Sequence, residues 1–476
     1  MRARLITPEN KKWWTLGAVS FGLFMIMLDN TVVNVALPSI QRDLGVDLSE
    51  LEWIVTGYAL TFAAFMLIGG KLADAYGRRL IFVVGIAIFT ASSLACGLAD
   101  SGHMLIGARV VQGVGAAMMN PATLSIIAAT FAPRERGTAI GIWAGVSALA
   151  LAIGPLVGGL LTEHLSWSWI FFVNVPVGVL GIFASFLLID ESRDETHERL
   201  DLPGLATSAV GLVALTYGLI EANGYGWGST RIVGSFLIAA VSLFAFVVLE
   251  RRQHAPMLDL SLFRSGTYTG ANLVVLLVAL AMFGVFFFVS LYMQNILGYS
   301  AVEAGAAFLP MTILIVIVAP IAGRLTDRVG SRWLMTAGMT LLGIQLLYFS
   351  QLGANASYWQ LLPAMLIGGF GMACTMTPSA AAATRSVPVD KAGVGSAVLN
   401  ACRQVGGSIG IALMGAIVAS EAGGRRTVEA FLDGFERALI VAAVIAFAGA
   451  IVAAVLVRMH ATEEQQPTAA VQEIAA

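Results

Sequence analysis

Long apolar runs separated by short polar stretches dominate the chain from residue 13 to residue 457. A bilayer core takes about 20 mostly apolar residues per helix. Runs of that length fall near 13–37, 52–70, 80–99, 104–127, 138–161 and 169–189. Two follow near 203–221 and 231–249, and six near 271–294, 302–323, 333–351, 358–381, 393–419 and 438–457. The pattern predicts an all-α polytopic membrane protein with 14 transmembrane helices. Basic residues Arg2, Arg4, Lys11 and Lys12 precede the first run. That run is too long for the roughly 7–15-residue apolar core of a cleavable signal, so it reads as a first span.

Charge placement tests the count. With the N-terminus cytoplasmic and every run crossing once, 20 of the 27 basic residues fall inside and 5 outside. The other two, Arg109 and Arg403, sit within spans. This excess is what the positive-inside rule expects, and one missed span would invert every later loop. Most tryptophans lie near predicted helix ends, as interfacial anchors do. The expected placement is the cell (inner) membrane, multi-pass, with both termini cytoplasmic.

Composition agrees. The chain is 58% apolar and 12% charged, whereas soluble domains carry about 25% charged residues. Near-neutral charge gives no sign of a nucleic-acid partner. Cys96, Cys374 and Cys402 are too dispersed for a disulfide framework or metal site, and the five histidines are scattered through loops and tail. No cofactor and no metal are expected.

The loop after span 2 reads Gly70-Lys71-Leu72-Ala73-Asp74-Ala75-Tyr76-Gly77-Arg78-Arg79. Gly323-Arg324-Leu325-Thr326-Asp327-Arg328-Val329-Gly330-Ser331-Arg332 repeats its Gly, Leu, Asp, Gly and final Arg 253 residues later. The ranks match if spans 7 and 8 are an insertion. Two six-helix halves with a site at their interface follow from such a duplication. The expected division is an N-terminal half 1–190, a linker 191–265 carrying the inserted pair, a C-terminal half 266–460, and a disordered cytoplasmic tail 461–476.

These motifs carry a resemblance. The loop G-x-L-a-D-x-x-G-r-r resembles the signature loop of the major facilitator superfamily. Leu28-Asp29-Asn30-Thr31 through Pro38, Arg109 through Gly115, and Gly145 with Gly154-Pro155-Leu156-Val157-Gly158-Gly159 resemble the span 1, 4 and 5 motifs of its fourteen-span drug:proton antiporters (the EmrB/QacA type). Trp167 through Pro176 resembles the start of span 6. Asn400, Arg403-Gln404, Gly406-Gly407 and Gly410 are similar to the span 13 signature. The resemblance implies the major facilitator fold and proton-coupled export of small hydrophobic or cationic molecules by a monomer, working by alternating access. It also implies that the Asp74 and Asp327 loops, with Arg78, Arg79, Arg328 and Arg332, form a cytoplasmic gate. The Gly145–Gly159 bend would then lie in an antiporter's moving seam.

The residues give their own reading. Asp29 is the one carboxylate well inside a predicted span. An ionised acid at membrane depth is costly, so it must face a cavity, find a partner or take a proton. At 1.5 Å per residue, Asp29 lies about 12 Å and Arg109 about 8 Å below the same face, within reach of each other. A proton-coupling acid and a structural ion pair both fit. Arg403, beside Gln404 and near Asn400, should face a central cavity, where substrate, water or neighbouring carbonyls would satisfy it. Asn30, Asn34 and Gln112 are further cavity candidates. Small residues and a proline in span 5 permit close packing and a bend. Met25, Met27, Met66, Met118, Met119 and Phe286–Phe288 fit either an adaptable pocket or plain core.

An ATP-driven pump needs a G-x-x-x-x-G-K-[ST] loop, and none occurs. A membrane enzyme needs clustered ionisable groups, which are also missing. The competing readings lie within transport: a proton symporter or an uncoupled facilitator for an endogenous metabolite.

Overall fold

The computed structural model describes residues 7, 10–193, 201–253, 256–388, 392–422 and 427–458. Its helices are α1 (Lys11–Leu44), α2 (Leu48–Tyr76), α3 (Arg78–Gly97), α4 (Gly102–Thr130), α5 (Pro133–His164), α6 (Trp169–Phe172) and α7 (Asn174–Leu188). An added pair follows, α8 (Leu202–Tyr225) and α9 (Thr230–Arg252). The second series is α10 (Gly266–Leu291), α11 (Ala301–Ala307), α12 (Leu309–Val329), α13 (Ser331–Phe349), α14 (Tyr358–Arg385), α15 (Ala392–Ala422) and α16 (Val428–Leu456). No strand forms among the described residues. Helices satisfy their own backbone donors and acceptors, which is what hydrocarbon demands.

Thirteen helical segments are long and apolar enough to cross a membrane. α6 with α7, and α11 with α12, each make one crossing. α13, with Arg332 and Gln345 in its 19 residues, is less apolar and falls outside that set, but it packs along α14 and α16. With it, the described residues form the 14 spans that hydropathy predicts. Several, such as α1 and α2, run several residues past their apolar runs at one or both ends, whereas α3 and α13 match theirs in length. The tail 461–476 lies outside the described residues, as does residues 194–200 of the linker.

Two six-helix halves share one packing scheme. In the first, α2 and α3 lie on α4, α1 on α5, and α3 on α7; in the second, α12 and α13 lie on α14, α10 on α15, and α13 on α16. The repeated loops make the same turn. Gly77 ends α2 at φ 122° and Gly330 ends α12 at φ 86°, a region that side-chain-bearing residues rarely adopt. Small residues set the close approaches. A Cβ at Gly154 or Gly158 would press on Thr31 or Val32 of α1, and one at Gly406 or Gly410 on the Leu276 or Leu280 carbonyl of α10. The span 5 and span 13 glycines are thus the same device in the two halves.

Across the halves, α2 packs on α15 and α5 on α11 and α12, while α8 leans on both α2 and α15. We call the face holding the start of α1 and the end of α16 the near face, and the other the far face. Toward the far face the halves are joined. Gly159 abuts Ala301 and Gly305 abuts Pro155. Val302 N donates to Glu163 (2.8 Å), Thr312 Oγ1 to the Ala152 carbonyl (3.1 Å), and Gln294 Nε2 to the Val35 carbonyl (2.9 Å). Toward the near face, Gly137, Gly141 and Gly145 of α5 have open space where a Cβ would project. The described bonds and close contacts that join the two halves lie at mid-depth and toward the far face.

Candidate coupling site

Burying a charged pair requires that every remaining polar atom be satisfied. α1, α2, α3 and α4 meet that demand around Asp29 and Arg109, each 1% exposed. Arg109 Nη1 donates to Asp29 Oδ2 at 2.5 Å and to Gln112 Oε1 at 2.7 Å, and its Nε donates to the Ile54 carbonyl at 3.1 Å. Gln112 Nε2 donates to Asp29 Oδ1 (2.9 Å) and to Ser93 Oγ (2.8 Å). Asn174 Nδ2 reaches the same Ser93 oxygen at 3.4 Å. Both carboxylate oxygens therefore hold a donor. The guanidinium lies 4.2 Å from the Tyr58 ring and 5.7 Å from that of Phe171, whose negative faces favour a cation.

The sequence supports this locally. Arg109 and Gln112 are three residues apart on α4, so both side chains fall on one helix face. Gly113 lets α2 approach so closely that a Cβ there would overlap Thr61 and the Tyr58 carbonyl.

The other candidates are distributed as follows. Gln112 is fully buried inside the Asp29 network rather than on a cavity wall. Asn30 and Asn34 are half-buried on α1, each donating one turn back along its own helix. Asn400 does the same on α15, to the Ser396 carbonyl. Arg403 is half-buried with its Nε unpartnered, and Gln404 is buried with its Nε2 unpartnered. Arg403 stands within electrostatic reach of Tyr58, opposite the Asp29–Arg109 pair. Tyr58 thus neighbours two guanidiniums, that of Arg109, neutralised by Asp29, and that of Arg403, whose Nε has no partner.

At the near face, Gly70 packs on Pro121. Arg78 bonds Asp74 at 2.9 Å, within one turn. Arg79 pairs with Glu191 and donates to the Ile189 carbonyl. Asp327 pairs with Arg385 of α14. Arg328 is exposed, and Arg332 stacks on Trp333. Each of these bonds stays within one half or its linker. On α5, Gly145 is exposed, whereas Gly154, Pro155, Gly158 and Gly159 are buried. Met25, Met27, Met66 and Met119 are core, as are Phe287 and Phe288.

Depth in an apolar run and burial in the protein are different properties, and the sequence reading missed two acids on that account. Glu52 is 2% exposed in the second turn of α2, and Glu250 is 3% exposed near the end of α9. Both lie at predicted span ends, where an acid ordinarily meets water. Only packing turns them inward. Ser93 and Tyr58 were also unmarked, and Asn174 was marked only within the span 6 motif, since polar residues of these types are common in spans and no spacing links them to Asp29.

The chain matches the model of the Major Facilitator Superfamily over residues 19–271 and 271–475. It is 38% identical to multidrug resistance protein Stp of Mycobacterium tuberculosis (strain CDC 1551 / Oshkosh), covering 85% of this chain and 76% of that one. It is 39% identical to puromycin resistance protein pur8 of Streptomyces alboniger, covering 86% and 82%. Identity to the tetracenomycin C resistance and export protein of Streptomyces glaucescens is 37%, covering 87% and 77%. Among solved structures, the fold resembles a bacterial homolog of the human lysosomal transporter Spinster, with TM-score 0.68, 17% identity and coverage of 97% and 100%. It also resembles a peptide transporter POT in complex with sulfate, with TM-score 0.67, 16% identity and coverage of 94% and 95%. The matched model spans nearly the whole chain and both six-helix halves: the protein is a multi-pass membrane transporter, not an enzyme, and it belongs to the Major Facilitator Superfamily.

Proposed function

We propose that this transporter is a proton-coupled exporter of small hydrophobic or cationic molecules, of the fourteen-span drug:proton antiporter type, acting as a monomer in the cell membrane. The near face is cytoplasmic in this reading, with both termini inside, as the basic loops favour. The relatives named for resistance and export support the direction of transport.

The observation that carries the reading is the buried Asp29–Arg109 pair. Arginine stays charged, so Asp29 is the member able to change protonation state. Arg109 has two further acceptors, Gln112 Oε1 and the Ile54 carbonyl. A movement of α4 against α1 can break the ion pair while leaving the guanidinium bonded. Asp29, stripped of its partner in so dry a setting, takes a proton. The two halves rock about the α2–α15 and α5–α11 seams, which exposes the space flanked by Arg403 to each side in turn. The near-face Asp74 and Asp327 loops close the cytoplasmic side in the opposite state. Coupling is energetically sufficient: a charge crossing 100 mV gains about 2.3 kcal/mol, and 1.4 kcal/mol is tenfold in concentration, so one proton sustains roughly a fortyfold gradient.

Everted vesicles test this. A proton-coupled exporter accumulates a dye or antibiotic substrate and alkalinises the lumen when substrate is added. Substrate accumulation unaffected by a protonophore refutes the coupling.

A further inference from the structure

The far-face seam between α2 and α15 contains a carboxyl group that the coupling scheme does not use. Glu52 sits one turn into α2, and its carboxyl abuts Gly415 so closely that any Cβ there would overlap Oε1 and Cδ. The side chain is 2% exposed and Oε2 has no hydrogen-bond partner. α8 closes the third side: Asn223 Nδ2 donates to the Ala416 carbonyl at 2.8 Å, and Trp53 Nε1 to Glu221 Oε1 at 3.2 Å.

Among the described residues, no cation is paired with this acid. The charges that act on Glu52 are Asp47 and Glu221, both acidic. On α4, Arg109 is committed to Asp29, and His103 lies 3.7 Å from Glu50. On α15, Glu421 is bonded to Arg437 of α16, and Arg403 lies more than three turns deeper. A buried carboxylate with an unmet oxygen and acidic neighbours is costly, whereas a carboxyl that holds a proton carries no charge to bury.

We propose that Glu52 is a proton-operated bolt of the far-face gate: the seam closes only when this carboxyl holds a proton, and the proton is released to the far side when α2 and α15 part. The inference rests on the alternating-access part of the functional reading, since it requires the seam to open. It does not require the proton on Glu52 to cross the membrane. Gly415 is what makes the device work, because only a residue without a side chain lets the neutral carboxyl seat against the α15 backbone. Raising the pH on the far side holds the gate open by leaving Glu52 ionised, and lowering it resets the transporter toward the state described here.

The test measures the seam directly. Spin labels at Ser49→Cys on α2 and Ser420→Cys on α15 report the far-face separation by pulsed electron resonance in nanodiscs, without substrate or gradient. Signal from the native cysteines is subtracted using protein lacking the added pair. In the otherwise native protein the open-to-closed ratio should rise by up to about tenfold per pH unit above the ordinary carboxylate range. In Glu52→Gln, which keeps the shape but cannot ionise, that dependence should be lost and the seam should stay closed. A pH-independent separation in the native protein overturns the proposal, even if the variant does not fold. An unchanged slope in Glu52→Gln overturns it equally. Because neither measurement involves export, a failed vesicle assay would reject proton-coupled efflux and leave this result standing.

Discussion

Replacing Asp29 with Asn removes the anion that pairs with Arg109 and leaves the shape nearly intact. Both carboxylate oxygens accept hydrogen bonds, from Arg109 Nη1 and from Gln112 Nε2. An amide supplies one oxygen and one NH₂, so one of those donors then meets another donor. Arg109, 1% exposed, keeps its charge because a guanidinium does not deprotonate in proteins. Removing one partner of a buried pair costs about 3–5 kcal/mol, most of it the penalty of the stranded charge. The double variant Asp29→Asn/Arg109→Gln carries no stranded charge and should recover at least about 2 kcal/mol of that loss. Thermal unfolding in detergent, followed by tryptophan fluorescence across the double-mutant cycle, measures the coupling. Additive losses would refute the reading of these two side chains as one buried unit. In liposomes, both Asn-bearing variants should retain downhill substrate movement and lose proton-driven uphill accumulation, since an amide at residue 29 cannot carry a proton across the membrane.

Three further outcomes are expected. Gly158→Val should cost several kcal/mol or abolish transport, because a Cβ there already lies 2.7 Å from the Val32 carbonyl oxygen; export assays and expression level report it. Asp201 caps α8, and although burial works against its charge, bonds from Gly204 N, Gln253, Glu250 and Met257 N together hold its carboxyl below the usual carboxylate range. A lowered native value adds stability above the unfolded value of about 3.9 and loses it as pH falls through the native value. Asp201→Asn should therefore be about 1–2 kcal/mol less stable than the native protein at pH 7, a gap that closes below about pH 4, as pH-dependent melting curves would register. Asp327→Asn breaks an exposed pair with Arg385, with side chains 59% and 50% exposed, and should shift melting by under about 1 kcal/mol. A larger change in export rate than in stability would locate the role of Asp327 in gating rather than folding.

Much of the architecture is written in one dimension. Lipid imposes a fixed length of apolar residues per crossing, so run lengths count the spans. The repeated Gly-Leu-Asp-Gly loop marks the two halves because each copy makes the same glycine turn out of a helix, at Gly77 and Gly330. Asp29 and Arg109 were also legible together, since an acid and a base at one depth in hydrocarbon have few alternatives to meeting. What sequence spacing does not carry is rotation about each helix axis. Gln112 turns into the pair instead of toward the cavity, because Asp29 and Ser93 lie on that side of α4. Glu52, at a position where most acids face water, is sealed because α15 presents a glycine opposite it and α8 covers the remaining side. Depth follows from counting residues along one helix, whereas burial, partners and the closed far-face seam depend on which side each helix turns to its neighbours, and only the packed assembly of all the spans determines that.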